Sequence, residues 1–147
     1  MVCYLGNLLD LVDGAYARAT GQVTAFGGVL DSTLDRIADA VIIMAFACAG
    51  LVTWPLAIAV LVASYLISYV RAAGSNFVAD KSALAVGPIE RGERLVIILL
   101  GLLAHYILAR RGMAMDILTP VFLVLLALSV ITIIRRLYVV KVKARLP

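Results

Sequence analysis

Four aspartates are spaced so that their carboxylates can act together: Asp10 and Asp13 lie three residues apart, Asp31 and Asp35 four apart. On a helix, either spacing puts both members of a pair on one face. Carboxylates with no His or Cys among them are hard oxygen ligands, which suit Mg2+ or Mn2+ better than zinc or copper. Two such pairs on antiparallel helices suit a two-metal centre of the kind that catalyses phosphoryl displacement. In an apolar setting an uncompensated carboxylate is expensive. The neighbouring cations are too few to pair with all four, so metal ions are the simplest counter-charge.

The residues around these aspartates carry further information. They read Asp10-Leu-Val-Asp13-Gly14-Ala-Tyr-Ala17-Arg18, then eight residues, then Gly27-Gly-Val-Leu-Asp31-Ser-Thr-Leu-Asp35. Gly14 and Gly27 leave space for a nucleotide to approach the backbone, and Arg18 has the donor fork that suits a diphosphate oxygen or the neighbouring carboxylates. Taken singly, each glycine is equally explained by close helix packing. Taken together, the run resembles, without a departure, the signature D-x-x-D-G-x-x-A-R-x8-G-x3-D-x3-D of the CDP-alcohol phosphatidyltransferase family.

That resemblance implies a role for each position. Asp10 and Asp31 would bridge two Mg2+ ions, or Mn2+ in their place, with Asp13 completing one site and Asp35 the other. Asp35 would also be the general base that takes the proton of the acceptor hydroxyl. Gly14, Ala17, Arg18, Thr24 and Gly27 would hold the CDP-linked lipid donor. Asp39 continues the four-residue spacing outside the signature and is read as a supporting residue or a partner of Arg36.

A second group of cations bears on the acceptor: Arg71 at the end of one apolar run, Arg91 and Arg94 in Ile89-Glu-Arg-Gly-Glu-Arg94, and Arg135-Arg136 late in the last run. Arginines at span ends also snorkel to the headgroups, which explains many of them without any ligand. The Ile-Glu-Arg-x-Glu-Arg segment resembles the phosphatidylinositol phosphate and archaetidylinositol phosphate synthase branch of the family. By that resemblance Arg71, Arg94 and either Arg135 or Arg136 would bind the phosphate of a phosphorylated polyol, inositol 1-phosphate first and glycerol 3-phosphate as the alternative. The chain has Ala73 and Gly92 where that branch commonly has a basic residue and proline.

Holding these groups in place requires long apolar elements. The 147 residues are 64% hydrophobic and 15% charged, which excludes an ordinary soluble domain and marks an integral membrane protein. Residues 40–70 carry no charge, residues 95–109 contain no Asp, Glu, Lys or Arg and a single histidine, His105, and residues 117–134 carry no charge. The first stretch would cover about 46 Å as one helix, against a hydrocarbon core of about 30 Å. It is expected to break at Thr53-Trp54-Pro55, where Trp54 suits an interface and Pro55 the first turn of a new helix.

The expected fold is all-α: a polytopic transmembrane bundle of about five helices, at roughly 2–19, 24–52, 55–76, 91–110 and 115–143, in a single domain over 1–147. Residues 75–89 form the one long loop. Members of the family have six spans, one of them ahead of the aspartate-bearing helix, so the resemblance implies that a first helix is missing here.

Alternating the helices puts eleven basic residues on the side of the motif loop, against Arg110 and Arg111 on the other. The positive-inside rule then places the chain in the cytoplasmic membrane with its site facing the cytoplasm. The net charge of +4 is accounted for by anionic lipid headgroups, with no need for nucleic acid. Cys3 and Cys48 are read as packing residues, and His105 as a packing histidine in mid-span. A homodimer is the expected assembly. Two readings from other classes are a cation transporter, which would need polar groups through the whole bilayer, and a non-catalytic membrane subunit, which would have no need of an intact signature.

Overall fold

The computed structural model describes residues 24–78, 80–113 and 115–143. They contain four α-helices, α1 (Ala25–Cys48), α2 (Trp54–Gly74), α3 (Arg91–Arg110) and α4 (Leu118–Lys143), and a 3₁₀ turn at Lys81–Leu84. The helix expected at 2–19 lies outside the described residues. The chain divides into two compact units, Met1–Ile42 and Ile43–Pro147, and each is described by itself.

The helix ends follow from local chemistry. Thr24 opens α1, its Oγ1 accepting the Gly27 N–H at 3.0 Å, which satisfies one of the free donors of the first turn. α1 ends four residues before the expected boundary at 52, because Gly50 takes φ 69° and closes a Schellman motif: the Leu51 N–H reaches the Phe46 carbonyl and the Gly50 N–H reaches that of Ala47. Gly112, at φ 74°, closes α3 in the same way, with Met113 bonded to Leu108 and Gly112 to Ala109. Trp54 and Pro55 begin α2 as expected. α4 starts at Leu118 rather than 115, and Asp116 Oδ1 accepts the Thr119 N–H at 3.0 Å just before it.

In the second unit α2 packs chiefly along α4. Its buried positions, Ala57, Val60, Ala63, Ser64, Ile67, Val70 and Gly74, fall at helical spacing. Those of α4 are Leu118, Phe122, Leu125, Ser129, Thr132 and Arg136, alternating steps of four and three along one seam. Phe46 meets Phe122 with ring centroids 5.3 Å apart. Gly101 brings α3 close to α4: a Cβ there would stand 3.1 Å from Val121.

The outward faces are apolar, with Leu66, Leu100, Leu103, Val124 and Ile134 all exposed, as lipid-facing positions should be. Among the described residues, α2, α3 and α4 are each long and apolar enough to cross a membrane. The first half of α1 carries Asp31, Asp35 and Arg36, and Asp39 follows within the next turn. The chain is an integral membrane protein, and the described part of it is built of helices.

Candidate functional site

The acidic group lies in the first unit. Asp31 is exposed and Asp35 half-buried one turn later, with Asp39 buried one turn beyond. The three carboxylates therefore share a face of α1, and accessibility falls along it away from the helix start. Asp10, Asp13, Gly14, Ala17 and Arg18 lie outside the described residues. Among the described residues no three His, Cys, Asp or Glu side chains come together as a metal site. Asp31 and Asp35 offer only oxygen donors, a set that fits Mg2+ or Mn2+.

Thr24 and Gly27 are joined to each other. Thr24 is the N-cap of α1, and a Cβ on Gly27 would stand 2.9 Å from its hydroxyl oxygen. Glycine at 27 thus keeps space around the cap. Arg36 Nη1 donates to the Ser32 carbonyl, so this cation folds back on its own helix.

The basic group lies in the second unit. Arg71 is exposed in the last turn of α2, and Arg94 is buried in the first turn of α3. Arg135 and Arg136 differ sharply: Arg135 faces outward, whereas Arg136 is 2% exposed. Arg136 Nε donates to the Val86 carbonyl at 3.2 Å, Nη1 to the Ile67 carbonyl at 2.9 Å, and Nη2 to Glu90 Oε1 at 3.4 Å. Arg71 is a like-charged neighbour of this guanidinium. A guanidinium has five N–H donors, so two remain beyond the three bonds made here.

The connection between α2 and α3 is laid against one stripe of α4. A Cβ on Gly74 would come within 2.7 Å of Val140 Cγ2, and one on Gly87 within 2.3 Å of Thr132 Cγ2. Thr132, Arg136 and Val140 stand four residues apart on that stripe. Asp80 caps the start of the 3₁₀ turn, its Oδ1 accepting the Ser82 N–H at 3.0 Å and the Ser82 hydroxyl at 2.6 Å. Those two bonds hold its carboxyl below the usual carboxylate range. The expected open loop is therefore an anchored strap.

Glu90 was visible in sequence only as part of the Ile-Glu-Arg-x-Glu-Arg pattern. The structure makes it the charged partner of Arg136 and the N-cap of α3, where the Glu93 carboxylate accepts the Glu90 backbone N–H at 2.6 Å in a capping box. The available signal was the Glu-x-x-Glu spacing ahead of an apolar run.

A cavity of about 670 Å3 lies at the opposite helix ends, lined by Leu51, Thr53, His105, Met113, Asp116 and Thr119 among others. His105 is half-buried there, and its Nδ1 has no hydrogen-bond partner. Mid-span packing was expected of His105; instead it borders this opening. Cys48, expected to pack, is exposed. The Thr119 backbone N–H holds the Asp116 carboxyl below its ordinary range.

Comparison with known proteins adds four findings. Residues 1–134 match the family model described as CDP-alcohol phosphatidyltransferase. The chain is 42% identical over 141 residues to the archaetidylinositol phosphate synthase of Pyrococcus horikoshii, covering 96% of this chain and 68% of that one. It is 39% identical over 131 residues to the enzyme of the same name from Methanothermobacter thermautotrophicus, covering 89% and 63%. Its structure resembles the crystal structure of Mycobacterium tuberculosis phosphatidylinositol phosphate synthase in complex with manganese and citrate, with a TM-score of 0.73 and 32% identity over 98% of this chain and 71% of that one.

Proposed function

The chain belongs to the CDP-alcohol phosphatidyltransferase family, and on that premise we propose that it transfers a phosphatidyl or archaetidyl group from a CDP-linked lipid to inositol 1-phosphate, releasing CMP. The observation that carries the acceptor is the basic group of the second unit: Arg71, buried Arg94 and buried Arg136 on three elements, with exposed Arg135 beside them. Cations from three elements suit a phosphate dianion, and arginine suits it best. The similarity to inositol phosphate synthases from archaea and from Mycobacterium tuberculosis supports inositol 1-phosphate over glycerol 3-phosphate.

In this reading the acceptor hydroxyl oxygen forms a bond to the lipid-bearing phosphorus as the bond to CMP breaks, and Asp35 takes the hydroxyl proton. Asp35 is half-buried, accessible enough to meet an acceptor yet shielded from bulk water. Two Mg2+ ions held by Asp10, Asp13, Asp31 and Asp35 would supply neutralisation of the phosphate charge; the manganese in the solved relative supports a divalent ion of this size. Gly14, Ala17, Arg18, Thr24 and Gly27 hold the CDP group. Arg71, Arg94 and one or both of Arg135 and Arg136 hold the acceptor phosphate, leaving the ring hydroxyl to react.

The same reading covers the whole chain as one catalytic domain, in the cytoplasmic membrane with its site toward the cytoplasm, as the surplus of basic residues on that side supports. Exposed apolar surface on the helices is compatible with a homodimer. The test is acceptor-dependent CMP release by the protein in detergent with CDP-linked lipid and Mg2+, comparing inositol 1-phosphate with glycerol 3-phosphate, with Asp35→Asn as control. Release that depends on inositol 1-phosphate and on Asp35 supports the proposal. Preference for glycerol 3-phosphate overturns the acceptor, and release unaffected by Asp35→Asn overturns the assignment of the base.

A further inference from the structure

We infer that Glu90 is a positioning residue for the acceptor phosphate: it holds the Arg136 guanidinium at the junction of the elements that carry Arg71 and Arg94. The inference rests on the phosphorylated acceptor proposed above.

Three facts converge on Glu90. Of the three acceptors that Arg136 bonds, the Val86 and Ile67 carbonyls are neutral and Glu90 alone carries charge. Arg71 is a like-charged neighbour of Arg136, so the carboxylate offsets a repulsion that would otherwise turn the two guanidiniums apart. The Ile67 carbonyl lies one turn before Arg71, so the group that Glu90 steadies is also tied to the end of α2.

Glu90 is equally tied to Arg94. It caps α3, and the Glu93 carboxylate fixes its backbone N–H. Arg94 N in turn donates to the Glu90 carbonyl at 3.2 Å. Glu90 thus joins the Arg136 guanidinium to the start of the helix that carries Arg94.

Glu90 is also the accessible end of its contact with Arg136. The Glu90 side chain is 47% exposed while that of Arg136 is 2% exposed, so the carboxylate reaches from the buried guanidinium toward solvent. At 3.4 Å the Nη2 contact is longer than an ordinary charge-assisted bond. A phosphate can therefore draw on the remaining N–H donors of Arg136 without breaking the contact that orients it.

If Glu90 acted only as a negative charge, removing it would strengthen phosphate binding. If it acted only as a helix cap, removing it would loosen the fold and affect both substrates alike. A positioning role predicts a third pattern, which the full chain in detergent can reveal by CMP-release kinetics and by calorimetric titration with inositol 1-phosphate.

Glu90→Ala is expected to raise the acceptor KM and the inositol 1-phosphate Kd about tenfold, the size of one lost bond to a charged group, with the KM for CDP-linked lipid unchanged. Glu90→Gln keeps an oxygen that Arg136 can use and should give a smaller rise in both; this isosteric variant carries the test if Glu90→Ala fails to fold. Glu93→Ala removes the cap bond but not the contact with Arg136, and should leave the acceptor Kd unchanged. Acceptor binding that is unchanged or tighter in Glu90→Ala overturns the inference, as does a parallel rise in both KM values. Protein that binds inositol 1-phosphate in a Glu90-dependent way yet releases no CMP would sink the reaction proposed above and keep the role of Glu90.

Discussion

Gly87 rests directly on Thr132: its φ is 146°, and a single added methyl would come within 2.3 Å of the threonine Cγ2. Both the backbone conformation and the space exclude a side chain. This contact seats the strap between α2 and α3 on α4, one turn from Arg136.

Gly87→Ala is therefore expected to destabilise the protein by about 1–3 kcal/mol, the usual range for overpacking. Thermal unfolding in detergent would show it as a lowered midpoint. Thr132→Ala should recover only part of the loss, because the strained φ persists.

Arg136→Lys keeps the charge but cannot serve acceptors on three elements at once. The Val86 and Ile67 carbonyls lose their side-chain donor, at a cost of about 2 kcal/mol in unfolding free energy. Denaturant titration measures this. Arg135→Lys, on the outward face, should leave the midpoint unchanged.

Acid should loosen both helix-capping turns. The Ser82 hydroxyl and N–H lower the Asp80 carboxyl, and the Thr119 N–H lowers that of Asp116. A carboxyl whose folded value lies below its unfolded one contributes stability above the unfolded value, about 4, and loses it as pH falls through the folded value. The unfolding midpoint is expected to be insensitive to these two groups from pH 7 to about 5 and to fall below about 4. Asp116→Ala should remove its share of that acid dependence, read by unfolding curves at a series of pH values.

Asp31→Asn and Asp35→Asn preserve shape and remove charge on the accessible face of α1. Each is expected to reduce acceptor-dependent CMP release by at least about 100-fold, the scale of a lost general base or ligand, while the helical circular dichroism is unchanged. Chelation of divalent ions should abolish release in the unaltered protein, and added Mn2+ should restore it.

The helices were legible because charge-free runs and a Trp-Pro break are strong one-dimensional signals. The arginines at helix ends were legible through their position at run ends. The choice between Arg135 and Arg136 was not: neighbours on a helix point about 100° apart, and only the packing of α2 on α4 determines which one turns inward. The end of α1 at Cys48 was missed because Ala49 and Leu51 continue the apolar run, hiding the Schellman turn at Gly50. The strap read as a loop from its Gly and Pro, since nothing in the sequence tells that Gly87 faces Thr132 on the last helix. Among the proposed site residues, Thr24 read as a nucleotide contact, and its structural part as the cap of α1 could have been found from its place ahead of a helical run.

Trp54 at the start of α2 and Arg71 in its last turn mark two headgroup levels only about 26 Å apart at 1.5 Å per residue. That is shorter than a typical hydrocarbon core of about 30 Å. α2 has no length to spare for tilting, so the membrane must thin around it or Arg71 must stretch to reach water. The depth of Arg71 is therefore coupled to bilayer thickness, and lipids with shorter chains should let it sit at the headgroups without strain.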